Sequence, residues 1–234
     1  MKRLMLVLLP VLALLAGCQQ KQDTYTYSSI EAGTLSAGIF TTDNGAKMTV
    51  VGNEGKYDIS STRRVLVSYE THPFSDPTHI DIDIRALLDA GILQPEHARS
   101  LPEDPSGSPC QVTDAWFSNE YLNLLVNFSG KEPDKHIFSA AYTVDEKELT
   151  FRLGHDDTQD TEAGKETMTI FLCIPMYDPA LSFDQYAQST GQKPARPIPV
   201  ILQWTASTAI PEGPLTLQER KGSFEELLPQ SVQP

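Results

Sequence analysis

Residues 79–85 read His79-Ile80-Asp81-Ile82-Asp83-Ile84-Arg85. Isoleucine at every second position puts three apolar side chains on one face of an extended strand and the charged residues on the other. Upstream, Val65, Val67 and Tyr69 repeat this period, and Leu35, Ala37 and Ile39 share a face in the same way. Asp43-Asn44-Gly45 is a hairpin turn of the kind that needs positive φ, and Gly52-Asn53-Glu54-Gly55 gives a second break. The pattern predicts about five short strands between 34 and 95, with little helix.

Leu101 to Pro109 reads LPEDPSGSP, and its prolines, glycine and serines mark a domain boundary. Beyond it the alternation resumes in Leu122, Leu124, Val126 and Phe128. It continues in Leu149, Phe151 and Leu153, in Met168, Ile170, Leu172 and Ile174, in Val200, Leu202 and Trp204, and in Leu215 and Leu217. Strands at this spacing predict an antiparallel sandwich. Ser182-Phe183-Asp184-Gln185 and Ser223-Phe224-Glu225-Glu226 match a capping box, each opening at most two helical turns.

The 234 residues are 40% hydrophobic and 21% charged, which is a globular balance and not that of a disordered chain. A formal charge of −13 repels phosphate backbones and anionic lipid, which argues against nucleic acid as a partner. Three cysteines are too few for a disulfide scaffold or a Cys-rich zinc module.

Met1-Lys2-Arg3 precedes an apolar run from Leu4 to Ala16, the physical form of a secretory signal. The run is too short to cross the roughly 30 Å hydrocarbon core of a bilayer. It ends in Leu15-Ala16-Gly17-Cys18, which resembles a bacterial lipoprotein box with the Cys18 thiol as the atom to be acylated. The expected boundaries are a signal peptide at 1–17, a lipidated Cys18 with a tether at 18–33, a first domain at 34–100, a linker at 101–109 and a second domain at 110–234. Gln19 behind the cysteine differs from the aspartate that marks inner-membrane retention, and QQKQD delays the first acid to Asp23. The expected address is therefore the outer membrane, on its periplasmic face.

Arg64-Val65-Leu66-Val67-Ser68-Tyr69, then Val112-Thr113-Asp114-Ala115-Trp116-Phe117, then Asn119-Glu120-Tyr121-Leu122-Asn123 follow the lipobox in order. This series resembles the NigD-like lipoprotein family, with the likeness running from the lipobox to about Arg152 and fading over 154–234. The resemblance implies an all-β chain, a small OB-like five-stranded barrel followed by a β-sandwich. It also implies a link to a bacteriocin-like antimicrobial, with immunity as the suggested role, and it defines no catalytic residues.

Several groups invite a chemical reading. His79, Asp81 and Asp83 line one strand face roughly 7 Å apart. A calcium site needs a compact cage of oxygens and this is a row ending in Arg85, so a solvated outer face is the expectation. The acidic segment His155 to Glu162 lacks the glycine and glutamate of an EF-hand loop and reads as a charged, mobile hairpin, with a different cation loop left open. No nucleophile elbow, His-Glu-x-x-His, Cys-x-x-Cys or phosphate loop occurs, and the histidines at 72, 79, 97, 136 and 155 never pair at ligand spacing. Trp116, Trp204 and Tyr142 are expected in the sandwich core, and Pro194 to Pro199 as a rigid lead-in to the strand at 200–205. Cys110 and Cys173 are the two thiols left after lipidation. An oxidising compartment allows them to pair and close a 64-residue loop, and two separate thiols, one buried and inert and one near the linker, are the alternative.

The expectation is a membrane-anchored, non-catalytic binding module without a metal or cofactor, recognising a protein or a glycan. Immunity against an antimicrobial is the second reading. A hydrolase of envelope polymers is the third, since 31 acids allow many carboxylate pairs.

Overall fold

The computed structural model describes residues 24–161, 166–207 and 214–224. Its first five strands are β1 (Ser28–Ser36), β2 (Ile39–Thr42), β3 (Lys47–Asn53), β4 (Arg63–Thr71) and β5 (Ile80–Ile92). They run in the order β3-β2-β1-β4-β5, and a parallel pairing of β3 with β5 closes them into a barrel. Closure hides every inward row, so Leu35, Phe40, Met48, Val65, Val67, Tyr69, Ile80, Ile82 and Ile84 form one buried core. The expected row Leu35, Ala37, Ile39 does not hold. Ala37 (φ 48°) and Gly38 (φ 77°) form the tight turn between β1 and β2, which resets the phase so that Phe40 points inward and Ile39 outward.

β5 carries the period that opened the reading of the sequence, then changes it. Ser68 of β4 pairs with Ala86 but Tyr69 pairs with Ile84, so Arg85 is an extra residue in the ladder. One inserted residue moves every later side chain to the opposite face. Ile80, Ile82 and Ile84 therefore face the barrel core, while Leu88 and Ala90 face the other way, towards the second half of the chain.

That half contains β6 (Glu96–His97), β7 (Gln111–Ser118), β8 (Tyr121–Gly130), β9 (Ile137–Val144), β10 (Leu149–Asp156), β11 (Glu166–Pro175), α1 (Tyr177–Ser189), β12 (Ile198–Ser207) and β13 (Leu215–Phe224). Strands β11-β8-β7 form one layer and β13-β12-β10-β9-β6 the other. Leu122, Leu124, Val126 and Ile174 from the first layer meet Phe151, Leu153, Leu202 and Trp204 from the second. Among the described residues the fold is all-β with one α-helix and a short 3-10 turn at Pro133–Lys135. Its sheets are mixed rather than purely antiparallel, because β10 pairs with β12, and β6 with β9, in parallel. Helix α1 begins five residues before the expected cap at Ser182 and buries Pro179, Ala180, Phe183 and Ala187. Ser223 and Phe224 end β13 instead of opening a helix, and Glu225 onward lies outside the described residues.

Three expected boundaries shift. The tether shortens, because Tyr25 already bridges to Phe74 and β1 starts at Ser28, within the 18–33 range. β6, placed by the sequence in the first domain, belongs to a sandwich sheet. The proline-rich segment 101–109 is fastened: Thr205 Oγ1 donates to Ser106 O at 2.8 Å, Ser108 N donates to His155 O at 2.8 Å, and an Arg152 Nη2 donates to Pro102 O at 2.7 Å. The end of β5 also pairs with β11 from Ala90 to Ile92, so one eight-stranded sheet runs from the barrel into the sandwich. A chain cut between Ser106 and Gly107 is expected to elute as a single species in size-exclusion chromatography, and separation of the halves would contradict this ladder and its packing.

Candidate functional site

The family-like motif residues come together at the junction. Along β4, Val65 and Val67 enter the barrel, so Arg64 and Leu66 point out of it. On β8, Leu122 and Leu124 enter the sandwich, so Tyr121, Asn123 and Leu125 point back at the barrel. Arg64 donates through Nη1 and Nη2 to both oxygens of Asp43, at 2.8 and 2.7 Å. Its Nη2 also donates to Asn123 Oδ1 at 2.8 Å, and its guanidinium lies 4.4 Å from the centroid of the Tyr121 ring. Ser118 donates to Asp43, and Asn123 Nδ2 donates to Ser118 Oγ at 2.8 Å. The ion-pair side chains are only 7% and 9% exposed, which makes this a buried pair whose lone pairs and protons are matched by neighbours. Trp116 stacks on Phe171 beside it, 5.9 Å between centroids, so Trp116 serves the junction and not the sandwich core. Trp204 and Tyr142 are in that core as expected.

A second polar cluster closes one end of the sandwich. β10 continues its inward row Leu149, Phe151, Leu153 one place further, to His155. His136, just before β9, brings Nδ1 to 2.9 Å from His155 Nε2, and its Nε2 lies 3.0 Å from Asp160 Oδ2. Lys131 N donates to the same carboxylate oxygen at 2.8 Å, and His155 Nδ1 lies 3.3 Å from Pro109 O. Phe138 stacks on His155 at 4.4 Å and Phe128 packs on His136 at 4.5 Å. Burial, with the neighbouring His136 second, lowers the His155 pKa. The expected mobile hairpin is thus anchored at both ends, His155 and Asp160 being buried, while Glu162 lies outside the described residues. Sequence spacing hides this relay because its members are 19 and 24 residues apart. The in-phase position of His155 was the available signal.

Two shallow hollows lie on the surface. One, about 410 Å³, is on the barrel and is lined by Thr34, Ser36, Thr41, Lys47, Thr49 and Asp81 among others. The other, about 480 Å³, lies beside the histidine relay between Phe128, Gly130, Lys131 and Pro133 and the start of β11.

The remaining candidates are placed as follows. Cys18 lies outside the described residues. Cys110 and Cys173 are free buried thiols on opposite sides of the β11-β8-β7 layer, Cys110 in the sandwich core and Cys173 at the junction, so the bridge does not form. Burial pushes Cys110 up to about 12 and Cys173 up to about 11, the latter offset by Arg64 Nε at 3.2 Å from its sulfur. His79 is exposed against Asp76, Asp83 pairs with His72, and Arg85 pairs with Glu54 and Glu70. That row is a solvated outer face. Among the described residues no three His, Cys, Asp or Glu side chains are placed to hold a metal ion.

Neither protein-family models nor curated proteins match this sequence. Solved structures do. A NigD-like immunity protein from Bacteroides caccae aligns with a TM-score of 0.53 at 20% identity, over 82% of this chain and 91% of that one. The chain has the NigD-like fold. A protein of unknown function from Bacteroides vulgatus aligns with a TM-score of 0.55 at 14% identity, over 89% and 95% of the two chains. A protein described as a lipoprotein, from Bacteroides fragilis, aligns with a TM-score of 0.56 at 12% identity, over 87% and 100%. None of the three is named as an enzyme.

Arg64→Met leaves a carboxylate buried without its cation and is expected to cost about 3–5 kcal/mol, read as a lowered urea midpoint. Adding Asp43→Leu removes the orphaned charge, so the double variant should lie nearer the parent than the single one does. The relay predicts a pH effect. With the folded His155 pKa below its unfolded value, the unfolded chain takes up a proton first as pH falls. Stability is therefore full above about pH 6.5 and declines below it. Urea midpoints at pH 7.5 and 5.5 should show this decline, and His155→Gln should reduce it.

Proposed function

We propose that this protein is a lipid-anchored, non-catalytic recognition module of the cell envelope, held through an acylated Cys18 after removal of a signal peptide. The observation that carries the reading is the barrel hollow. Strands β2 and β3 line it, and OB-type barrels bind oligosaccharides and oligonucleotides on the corresponding face. Its threonine and serine hydroxyls, with Lys47 and Asp81, suit a hydrogen-bonding glycan or an extended peptide. A charge of −13 weighs against a nucleic acid. The motif residues Arg64, Tyr121 and Asn123 are committed to the junction, and the histidine relay is enclosed, so recognition falls to the surface. The absence of an acid after Cys18 until Asp23 supports the periplasmic face of the outer membrane.

Likeness to a protein named as NigD-like immunity protein favours a second reading, protection of the producing cell from a bacteriocin-like antimicrobial. The two readings share the surface and differ in the ligand.

A photo-crosslinking residue at Thr49, in living cells, is expected to give a discrete envelope adduct, whereas one at the exposed Glu219 on β13 gives none. Equal labelling from both positions would overturn the assignment. In a killing assay, immunity requires that deletion of the gene sensitise the cell and that Cys18→Ala fail to restore protection.

A further inference from the structure

Tyr25 and Phe74 are bridged by two backbone hydrogen bonds, Tyr25 N to Phe74 O at 2.8 Å and Phe74 N to Tyr25 O at 3.0 Å. Two residues on, Thr71 N donates to Tyr27 O at 2.9 Å and Tyr27 N donates to Thr71 Oγ1 at 2.9 Å. The chain is therefore fixed to the barrel from Tyr25 onward. The rings gather at this corner. Phe74 lies 6.0 Å from both Tyr25 and Tyr27, and Tyr27 meets Tyr69 edge-on at 6.1 Å. Tyr69 belongs to the barrel core, but Tyr25 is 57% and Tyr27 41% exposed. Aromatic surface remains in water after the barrel has closed.

We propose that this corner of Tyr25, Tyr27 and Phe74 is the barrel's contact with the membrane, resting in the headgroup region of a zwitterionic bilayer. The inference rests on acylation of Cys18. Six residues lie between Cys18 and Tyr25, so Tyr25 stays within about 25 Å of the acylated cysteine, the span of seven fully extended chain steps. The anchored end of the protein thus keeps these rings near the bilayer surface. Tyrosine suits that depth, because its ring is apolar and its hydroxyl stays wet. Asp76 two residues after Phe74, Glu31 behind Tyr69 and the chain's net charge of −13 disfavour an anionic surface. Acyl chains supply the affinity and the corner supplies the orientation.

The test uses the lipidated full chain in phosphatidylcholine vesicles whose acyl chains carry bromine near the headgroup. Phe74→Trp is compared with Tyr177→Trp, which places the new indole at the exposed start of α1. Flotation with the vesicles reads the anchor separately. The expected result is that both variants float and that only Phe74→Trp loses about half of its added emission to the bromine. Tyr25→Trp, at a more exposed position, repeats the measurement without disturbing the packing of Phe74. Floating protein with both corner indoles unquenched, or with Tyr177→Trp quenched equally, overturns the contact while leaving the anchor intact. Failure to float overturns the anchor and the contact together. Burial of the corner indole without vesicles, growing with protein concentration, would assign the surface to a second copy and overturn the proposal.

Discussion

The buried pair of Arg64 and Asp43 holds this molecule to one arrangement. Asp43 sits in the turn after β2, Arg64 opens β4, and the partners that complete their hydrogen bonds, Ser118 and Asn123, come from the β7–β8 hairpin. A charge pair removed from water tolerates little displacement, because each lost contact strands a buried charge. Barrel and sandwich are therefore positioned against each other by directional bonds, while Leu66, Phe171, Leu88 and Ala90 supply the apolar area around them. A junction made of apolar contact alone would allow the layers to slide. This one has a single register.

β5 makes that junction reachable. Its first five residues close the barrel, its bulge at Arg85 reverses the phase, and its last three residues pair with β11. The same strand thus contributes Ile82 and Ile84 to one core and Ala90 to the packing between halves. Continuous hydrogen bonding along β5 explains why the proline-rich segment is not a hinge. With the sheet already crossing the boundary, segment 101–109 lies against β10 and β12 and spends its backbone groups there.

The chemistry of the chain divides by depth. Its conspicuous polar groups (Arg64 and Asp43, the His136–His155–Asp160 relay, the Cys173 thiol) are interior and engaged with one another. Buried networks of this kind specify packing and set a pH dependence. Among the groups facing water, hydroxyls around the barrel hollow and aromatic rings at the barrel corner suit recognition and surface contact.

The sequence alone determined the strands, since a period of two read through Ile80, Ile82 and Ile84 or through Leu122, Leu124 and Val126 reports a physical face that packing must cover. It also determined the all-β class, the hairpin at Asp43 to Gly45 and the family-like motif, because these depend on local spacing. It did not determine what the motif is for. Arg64 and Asn123 were legible only as polar residues between apolar ones, and their meeting depends on two strands that sequence separation places 59 residues apart. The bulge at Arg85, the separation of Cys110 from Cys173 and the contact between the His136 and His155 rings were likewise decided in three dimensions. Each depends on which face of which strand meets its neighbour, a relation set by sheet register and closure and by no residue acting alone.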